Sequence, residues 1–135
     1  MGEAARLLKP GGRYAIHELC VAPDEIDGGI RDEIASELSA EIHAGVRPLT
    51  SKEWRELLST AGFEVIAERS SPMRLLEPAR LVKDEGLAQA LRFAWNVAWN
   101  CQARRRVVTM RRVFRKYKRH LMAISLVAIK LAEAK

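Results

Sequence analysis

The sequence predicts a layered α/β domain, in which helices pack around a small β-sheet. A short helix ends at Lys9-Pro10-Gly11-Gly12, and the apolar segment Arg13–Leu19 follows directly, which is typical of a helix, a turn and a buried strand. After Gly62, the segment Phe63–Arg69 alternates apolar and charged residues with the period of a half-buried strand. The β-branched, apolar segment Ala123–Leu131 predicts a closing strand. Helical patterns separate these three strands, so we expect one sheet with flanking helices.

Size and composition favour a single domain over residues 1–135. Hydrophobic residues make up 48% of the chain and mixed charges 30%, which is enough for a core and argues against disorder. No apolar run approaches the roughly 18–20 residues that span a bilayer, and no cationic leader precedes an apolar stretch. We therefore expect a cytoplasmic protein. Cys20 and Cys101 fit no metal-binding spacing, and we expect both to be buried thiols.

Two helices are predicted between the first two strands. Pro23-Asp24-Glu25 has the composition of a helix N-terminus, and apolar residues then recur at every fourth position from Ile30 to Ile42. Thr50 and Glu53 have the spacing of a capping box, which predicts that the next helix begins beside them.

The segment from about 73 to 121 is expected to be a helical insertion. In its first helix, Leu87, Leu91, Trp95 and Trp99 share one face. A second helical stretch places apolar residues at three-four spacing and groups most of its cations on the opposite face: Arg104, Arg105, Arg111, Arg112, Arg115, Lys116, Lys118 and Arg119. Between Asp84 and His120 the chain has ten Lys or Arg and two acids, so the net charge of +6 is concentrated here.

Two segments carry a resemblance to a known family. Residues 3–19, with Lys9-Pro10-Gly11-Gly12 before an apolar strand that ends in an acid, and residues 50–68, with Trp54-Arg-Glu-Leu-Leu-Ser-Thr-Ala-Gly-Phe-Glu-Val65, resemble the C-terminal half of class I S-adenosylmethionine-dependent methyltransferases of type 11. The resemblance implies a partial Rossmann-like sheet of about three strands. It places Arg13–Leu19, Ala123–Leu131 and Phe63–Arg69 side by side in that order, with the second strand antiparallel.

The same resemblance implies S-adenosylmethionine as the cofactor, yet this chain lacks the part that would hold it. The family binds the cofactor through a glycine-rich loop after its first strand and an acid at the end of its second. This sequence contains no G-x-G, and Gly11-Gly12 precedes a strand instead of a helix. We therefore assign no cofactor-binding residue and expect that the chain alone does not bind the cofactor.

Candidate catalytic residues lie at the end of the first strand. Ligands of open α/β sheets bind beyond the carboxyl ends of strands, so His17 and Glu18 are the candidates for substrate contact and proton removal. The structural alternative is that His17 packs beneath a helix and hydrogen-bonds to the backbone.

Candidate substrate-binding residues are His43, Arg47, Trp95 and Trp99. In this family the region of His43 and Arg47 belongs to a lid over the substrate, although a solvated loop is the plainer explanation. Trp95 and Trp99 are four residues apart, which favours core packing, with an aromatic pocket wall as the alternative. Three scattered histidines predict no metal site.

The basic helix, residues 104–119, has three explanations. The plainest is the solvated face of a helix packed on the sheet, and the second is a surface that attracts anionic lipid head groups at the membrane periphery. Nucleic-acid contact ranks last, because no aromatic residues are interleaved with the cations.

The function that this reading implies is the substrate-side, C-terminal portion of a methyltransferase acting on a small molecule or lipid, incompetent by itself. The alternative is a non-catalytic interaction module that uses the basic helix to bind an anionic surface or partner. In the family sheet a preceding strand pairs with Arg13–Leu19, so we expect an open edge here and self-association through it.

Overall fold

The computed structural model describes residues 1–42, 45–73 and 78–132, and within 78–85 it describes the backbone alone. Its elements in chain order are five helices and four strands: α1 Gly2–Leu7, β1 Arg13–Val21, α2 Gly28–Ile42, β2 Leu49–Thr50, α3 Ser51–Thr60, β3 Phe63–Pro72, α4 Pro78–Trp99, α5 Cys101–Lys116 and β4 Leu121–Lys130. His43 lies outside the described residues, as does the 74–77 part of the predicted insertion. No described helix is long and apolar enough to cross a membrane.

The four strands form one mixed sheet in the order β2-β1-β4-β3. The last strand, β4, lies between β1 and β3 and is antiparallel to both, with nine residue pairs on each side. The predicted α/β class and the predicted order of the three long strands are confirmed. The two-residue strand β2 was not predicted, and it pairs in parallel with the carboxyl end of β1 at Cys20 and Val21.

Two hydrophobic clusters hold the chain together. The first lies between one face of the sheet and α3, where Leu58 and Phe63 pack with Ile124 and Leu126. The second lies at the carboxyl end of β1, where Ile34 and Leu38 of α2 pack against α5 and the sheet. The helices α2, α4 and α5 are together called the cap below, because they sit at the end of the sheet where β1 and β3 finish.

The start of α3 follows the sequence prediction closely. Glu53 N–H donates to Thr50 Oγ1 at 3.2 Å, and Thr50 N–H donates to Glu53 Oε2 at 2.8 Å, which completes the capping box. Arg31 of α2 donates to both oxygens of the same carboxylate, at 3.0 and 2.7 Å, and to the carbonyl of Pro48. One carboxylate therefore starts α3 and ties it to the cap.

Two helix boundaries differ from the prediction. The helix α2 begins at Gly28 and not at Pro23, because Asp27 Oδ1 accepts the N–H of Ile30 and caps it there, while Pro23–Ile26 forms a turn. The helix α4 begins at Pro78, although Asp84 has the composition of a helix cap, and it is interrupted at Gly86, whose φ of 81° is non-helical.

The strand β3 contains an irregularity that the alternating pattern did not predict. Val65 pairs with Ala128 and Ala67 pairs with Val127, so Ile66 forms a bulge. The bulge reverses the side-chain alternation, so Ala67 faces away from α3 while Glu68 turns toward it. There Glu68 accepts hydrogen bonds from Ser51 and, at 3.1 Å, from Arg55.

The near-continuous apolar character of Arg13–Leu19 predicts burial on both faces of the strand, and this prediction is wrong. Tyr14 and Ile16 are partly buried against the α3 side, but Ala15 and His17 on the other face are exposed. In the part of the chain that the structure describes, no element covers this face over the amino-terminal half of β1. The outer edge of β1 is likewise unpaired over residues 13–19, because β2 reaches only its last two residues.

We predict that replacing the capping carboxylate weakens the fold in a pH-dependent way. Glu53→Gln should lower the free energy of unfolding at pH 7 by about 1–2 kcal/mol, since it removes a cap and an ion pair. The hydrogen bond from Arg31 holds the pKa of Glu53 below its ordinary value. Its contribution is therefore complete above the unfolded pKa of about 4.3 and is lost as the pH falls through the lower folded value.

Urea titrations at pH 7 and pH 3 measure this difference. Glu56→Gln is the matched control, because Glu56 is exposed on the same helix and should change little. Equal destabilisation by Glu53→Gln at both pH values would contradict the claim that the ionised carboxylate of Glu53 stabilises the fold.

We also predict self-association through the unpaired edge of β1, which light scattering at increasing protein concentration will detect as a rising mean mass. Ala15→Lys should suppress the increase in mean mass, because a lysine on an edge strand opposes pairing of that strand with another chain. Ala40→Lys adds the same charge on an exposed position of α2 and should leave it unchanged. A monomer at all concentrations would refute the prediction.

Candidate functional site on the uncovered sheet face

The two faces of the sheet differ in what covers them. The α3 side carries the cluster around Leu58 and Phe63. On the opposite side the cap covers the carboxyl end of β1 and the amino end of β4, at Val21 and Leu121. The rest of that side is called the uncovered face below. By the pairing register, its exposed or half-buried residues are Arg13, Ala15, His17, Glu64, Ala67, Arg69, Ser71, Ser125, Val127 and Ile129.

A polar row crosses the uncovered face on three neighbouring strands. His17 of β1 pairs directly with Ser125 of β4, and Ser125 pairs directly with Arg69 of β3. Residues that oppose each other in antiparallel strands point to the same face, and their Cβ atoms lie about 4.5–5.5 Å apart. The sequence analysis singled out His17 but missed Ser125 and Arg69, because the register that aligns them is set by pairing between segments that are distant in the chain. The strand β1 continues to Val21, so the prediction that His17 and Glu18 lie at its carboxyl end is wrong.

His17 is held by a short side-chain hydrogen bond. Its Nδ1 lies 2.7 Å from Ser125 Oγ. When the serine hydroxyl donates to Nδ1, Nε2 carries the proton and donates outward; when Nδ1–H donates to the hydroxyl, Nε2 is a free acceptor. In both tautomers the ring is oriented by Ser125 and Nε2 remains available. The alternative of a histidine bonded to backbone beneath a helix does not describe this arrangement.

Glu18 does not join His17. Adjacent residues of a strand point to opposite faces, so the carboxylate of Glu18 lies on the α3 side, where the side chain is exposed. The two candidate catalytic residues are thus separated by the sheet. Their roles stay predictions.

The carboxyl end of β1 is fixed by the third histidine, which the sequence analysis did not select. Ala22 N–H donates to the carbonyl of His120 at 2.9 Å, and His120 Nδ1 lies 3.0 Å from the carbonyl of Ala22. Asp24 beyond it accepts the N–H of Lys52 and lies 3.6 Å from Arg55. These groups join the end of the strand to β4 and α3.

Charged side chains fasten the cap helices α2 and α5 to each other. Lys116 pairs with Glu33 at 2.7 Å and also with Glu37, while Tyr117 donates its hydroxyl to Glu37 at 2.9 Å. The Glu33 and Glu37 carboxylates raise the pKa of Lys116, and Lys116 lowers the pKa of Glu33. Burial raises the pKa of Tyr117. These polar contacts hold α2 and α5 together in addition to their apolar packing.

The remaining candidate substrate residues are spread over the cap. Arg47 is exposed in the segment after α2. Trp95 and Trp99 are stacked, with ring centroids 4.0 Å apart and planes at 14°, and they are 60% and 71% exposed. The favoured expectation of core packing for these indoles is wrong, because Ala90, Phe93 and Val97 occupy the inward side of α4 instead. Their proposed contact with a substrate stays a prediction.

The helix that follows β1 does not have the features of a phosphate-binding helix N-terminus. The helix that follows β1 begins seven residues after the strand ends, and its N-terminus is capped by the carboxylate of Asp27, which would repel an anionic group. No group of three or more potential metal ligands occurs among the described residues either. A surface cavity of about 500 Å³ lies at the other end of the sheet, between Ala5, Gly62 and Lys130.

The chain was compared with known proteins. No known family profile matches it. An uncharacterised protein of Haemophilus influenzae is 27% identical over 126 residues, which are 92% of this chain and 48% of that protein. The chain thus spans about half the length of the curated relative that it matches.

Solved structures share the fold more clearly than the sequence. A putative sarcosine dimethylglycine methyltransferase from Galdieria sulphuraria superposes with a TM-score of 0.60 at 20% identity, covering 98% of this chain and 47% of that one. A SAM-dependent methyltransferase from Geobacter sulfurreducens, in complex with S-adenosyl-L-homocysteine, gives a TM-score of 0.54 at 15% identity, with coverages of 93% and 49%. This chain has the fold of part of a SAM-dependent methyltransferase. The sheet order places that part in the C-terminal half.

The methyltransferase fold does not by itself fix the reaction. The [4+2]-cyclase SpnF also shares it, with a TM-score of 0.57 at 21% identity over 97% of this chain and 43% of that one. Function has to be argued from the site, since one fold hosts several chemistries.

The two thiols provide a direct test of the fold. Cys20 is buried, and burial together with Asp24, Glu68 and Glu53 raises its pKa to about 11, whereas Cys101 is exposed, contrary to the expectation of two buried thiols. We predict that a disulfide reagent at pH 8 modifies one thiol per native chain rapidly and the second only after unfolding. Cys101→Ser should remove the rapid reaction, whereas Cys20→Ser should preserve it. Equal rates for both thiols would contradict the placement of Cys20.

Proposed function

We propose that this methyltransferase-fold chain is the substrate-side, C-terminal part of an S-adenosylmethionine-dependent methyltransferase whose methyl acceptor is a small molecule or a lipid. The cofactor-binding part is supplied by residues outside those described. The Galdieria protein is named for small amine acceptors, which supports the substrate class.

One observation supports the proposal most: the uncovered face and the unpaired edge of β1 adjoin each other. The strands β1, β4 and β3 pair antiparallel, and such a sheet can leave one face in water, so the open face supports the proposal only together with the unpaired edge and the half-length matches. Ala15, Ala67 and Val127 give this face small and apolar side chains, on which a helix can pack closely. A complementary part that adds a strand to β1 and helices over this face would complete the sheet, and the half-length matches agree with such a part.

The proposed division of labour follows from what the described residues offer. They have no glycine-rich turn between a strand and a helix, so the cofactor is bound by the complementary part. The cap and the carboxyl end of β1 contribute the acceptor side. In this proposal the complementary part packs on the row of Ala15, Val127 and Ala67, and the acceptor lies between that part and the cap. There His17 takes up the proton that the acceptor loses, through Nε2, while Ser125 fixes the orientation of the ring through Nδ1.

Calorimetry with S-adenosylmethionine tests the proposal directly. We expect no binding at micromolar concentrations by this chain alone. We expect binding when the chain is co-expressed with the part of the Haemophilus influenzae relative that it does not match. Micromolar binding by the chain alone would overturn the assignment of the cofactor to another part.

A variant pair makes the complementation test specific. Ala67→Lys places a charge in the middle of the uncovered face and should abolish both the complex and cofactor binding, whereas Ala40→Lys on the exposed side of α2 should preserve them. Circular dichroism of each variant will establish that its own fold is intact. Cofactor binding that survives Ala67→Lys undiminished would show that the uncovered face is not the docking surface.

A further inference from the structure

The helix α4 has a second apolar face that no described element covers. After Gly86, the side chains of Leu87, Leu91, Trp95 and Trp99 follow one another at every fourth position and are 63%, 62%, 60% and 71% exposed. Large apolar side chains are usually buried, and single exceptions need no explanation, but four on consecutive turns form a continuous stripe. The stripe extends for about 18 Å along the helix.

The stripe is not the side of α4 that packs against the rest of the described chain. Ala90 is buried and Phe93 and Val97 are half-buried on the opposite side of α4, and α4 contacts α5. The helix therefore already has a face for the protein interior. The stripe is additional, and it ends in two stacked indoles, which are flat amphipathic groups that favour the interface between a membrane and water.

The basic helix α5 begins two residues after the stripe ends, and its first cation is Arg104. Asn100 separates Trp99 from α5 and caps α5 by accepting the N–H of Ala103. The exposed cations of α5 and the turn after it are Arg104, Arg105, Arg106, Arg111, Arg112, Arg115, Lys116, Lys118 and Arg119. There is no Asp or Glu in the sequence between Glu85 and Glu133. Lys116 is neutralised by α2, and the other cations form no ion pair with a described residue.

The two features together select one kind of partner. A nucleic acid would neutralise the cations but would leave Leu87 and Leu91 exposed to water. An apolar protein groove would cover the stripe but would leave the acid-free cationic helix beside it without a counter-charge. An anionic bilayer provides negative head groups and an apolar interior side by side, which is the arrangement that interfacial helices use.

We propose that α4 and α5 form a peripheral membrane-binding surface, in which the stripe enters the head-group region of an anionic bilayer and the cations of α5 contact its phosphates. This proposal does not depend on methyl transfer. Its failure would leave the proposed function untouched, because the uncovered face and the stripe are different surfaces.

Co-sedimentation of the full chain with vesicles tests the proposal. We expect binding to vesicles of phosphatidylcholine with phosphatidylglycerol at 0.1 M salt and none to phosphatidylcholine alone. The triple variant Arg111→Gln, Arg112→Gln, Arg115→Gln should bind at least about tenfold more weakly. The control triple variant Lys9→Gln, Arg13→Gln, Lys52→Gln removes the same charge from exposed positions elsewhere and should bind as the unmodified chain does. Equal weakening by both triple variants, or no preference for the anionic vesicles, would overturn the proposal.

Fluorescence tests the stripe separately from the charge. Trp54→Phe removes the remaining indole, which is half-buried and donates to the carbonyl of Leu19, so that only Trp95 and Trp99 report. Their emission should shift to shorter wavelength on anionic vesicles and be quenched by spin-labelled lipid. Trp95→Ser with Trp99→Ser should abolish vesicle binding while leaving the circular dichroism spectrum intact. Full vesicle binding by that double variant, or duplex DNA binding without vesicle binding, would refute a membrane surface.

Discussion

The antiparallel insertion of β4 between β1 and β3 is the constraint on which the other features depend. It joins β4 to β1, a hundred or more positions away in the chain, through nine pairs, and to β3, fifty or more positions away, through another nine. Pairing between distant segments has a cost in loop-closure entropy that a local helix does not have. The contacts of β4 with both β1 and β3 are needed to offset this cost. Once it forms, the row of His17, Ser125 and Arg69, the position of the cap and the unpaired edge of β1 are all determined.

One face of the resulting sheet is packed, and the other face is covered only in part. The α3 side is packed around Leu58, Phe63, Ile124 and Leu126. The other side is covered by the cap at one end and open at the other. Antiparallel strands can leave one face in water, so the open area is proposed as a surface for a complementary part because it adjoins the unpaired edge of β1. The similarity of this chain to about half of the Galdieria and Geobacter methyltransferases is the independent observation that agrees with it.

The cap gives the chain two outward surfaces with different chemistry. Lys116 and Tyr117 contact Glu33 and Glu37 of α2, so this end of α5 stabilises the fold. The remaining cations of α5 form no ion pair with a described residue, and no described element covers the stripe on α4. The cost of exposing two indoles and two leucines to water is the physical reason to propose a partner for them, and the uniform positive charge beside them is the reason to propose an anionic bilayer.

The sequence by itself determined the local structure and the kind of sheet. The capping box of Thr50 and Glu53, the helix end at Gly62 and the three long strands follow from short-range chemistry, because a cap or a helix-ending glycine acts on its own neighbours. The resemblance added the strand order, which the structure confirms. Only the tertiary structure decided which face each side chain occupies. The bulge at Ile66 reversed the alternation so that Glu68 meets Ser51, the register with β4 brought Ser125 to His17, and the position of α5 assigned Phe93 and Val97 inward and Trp95 and Trp99 outward. These outcomes depend on pairing and packing between distant segments, about which the spacing of residues in a single segment carries no information.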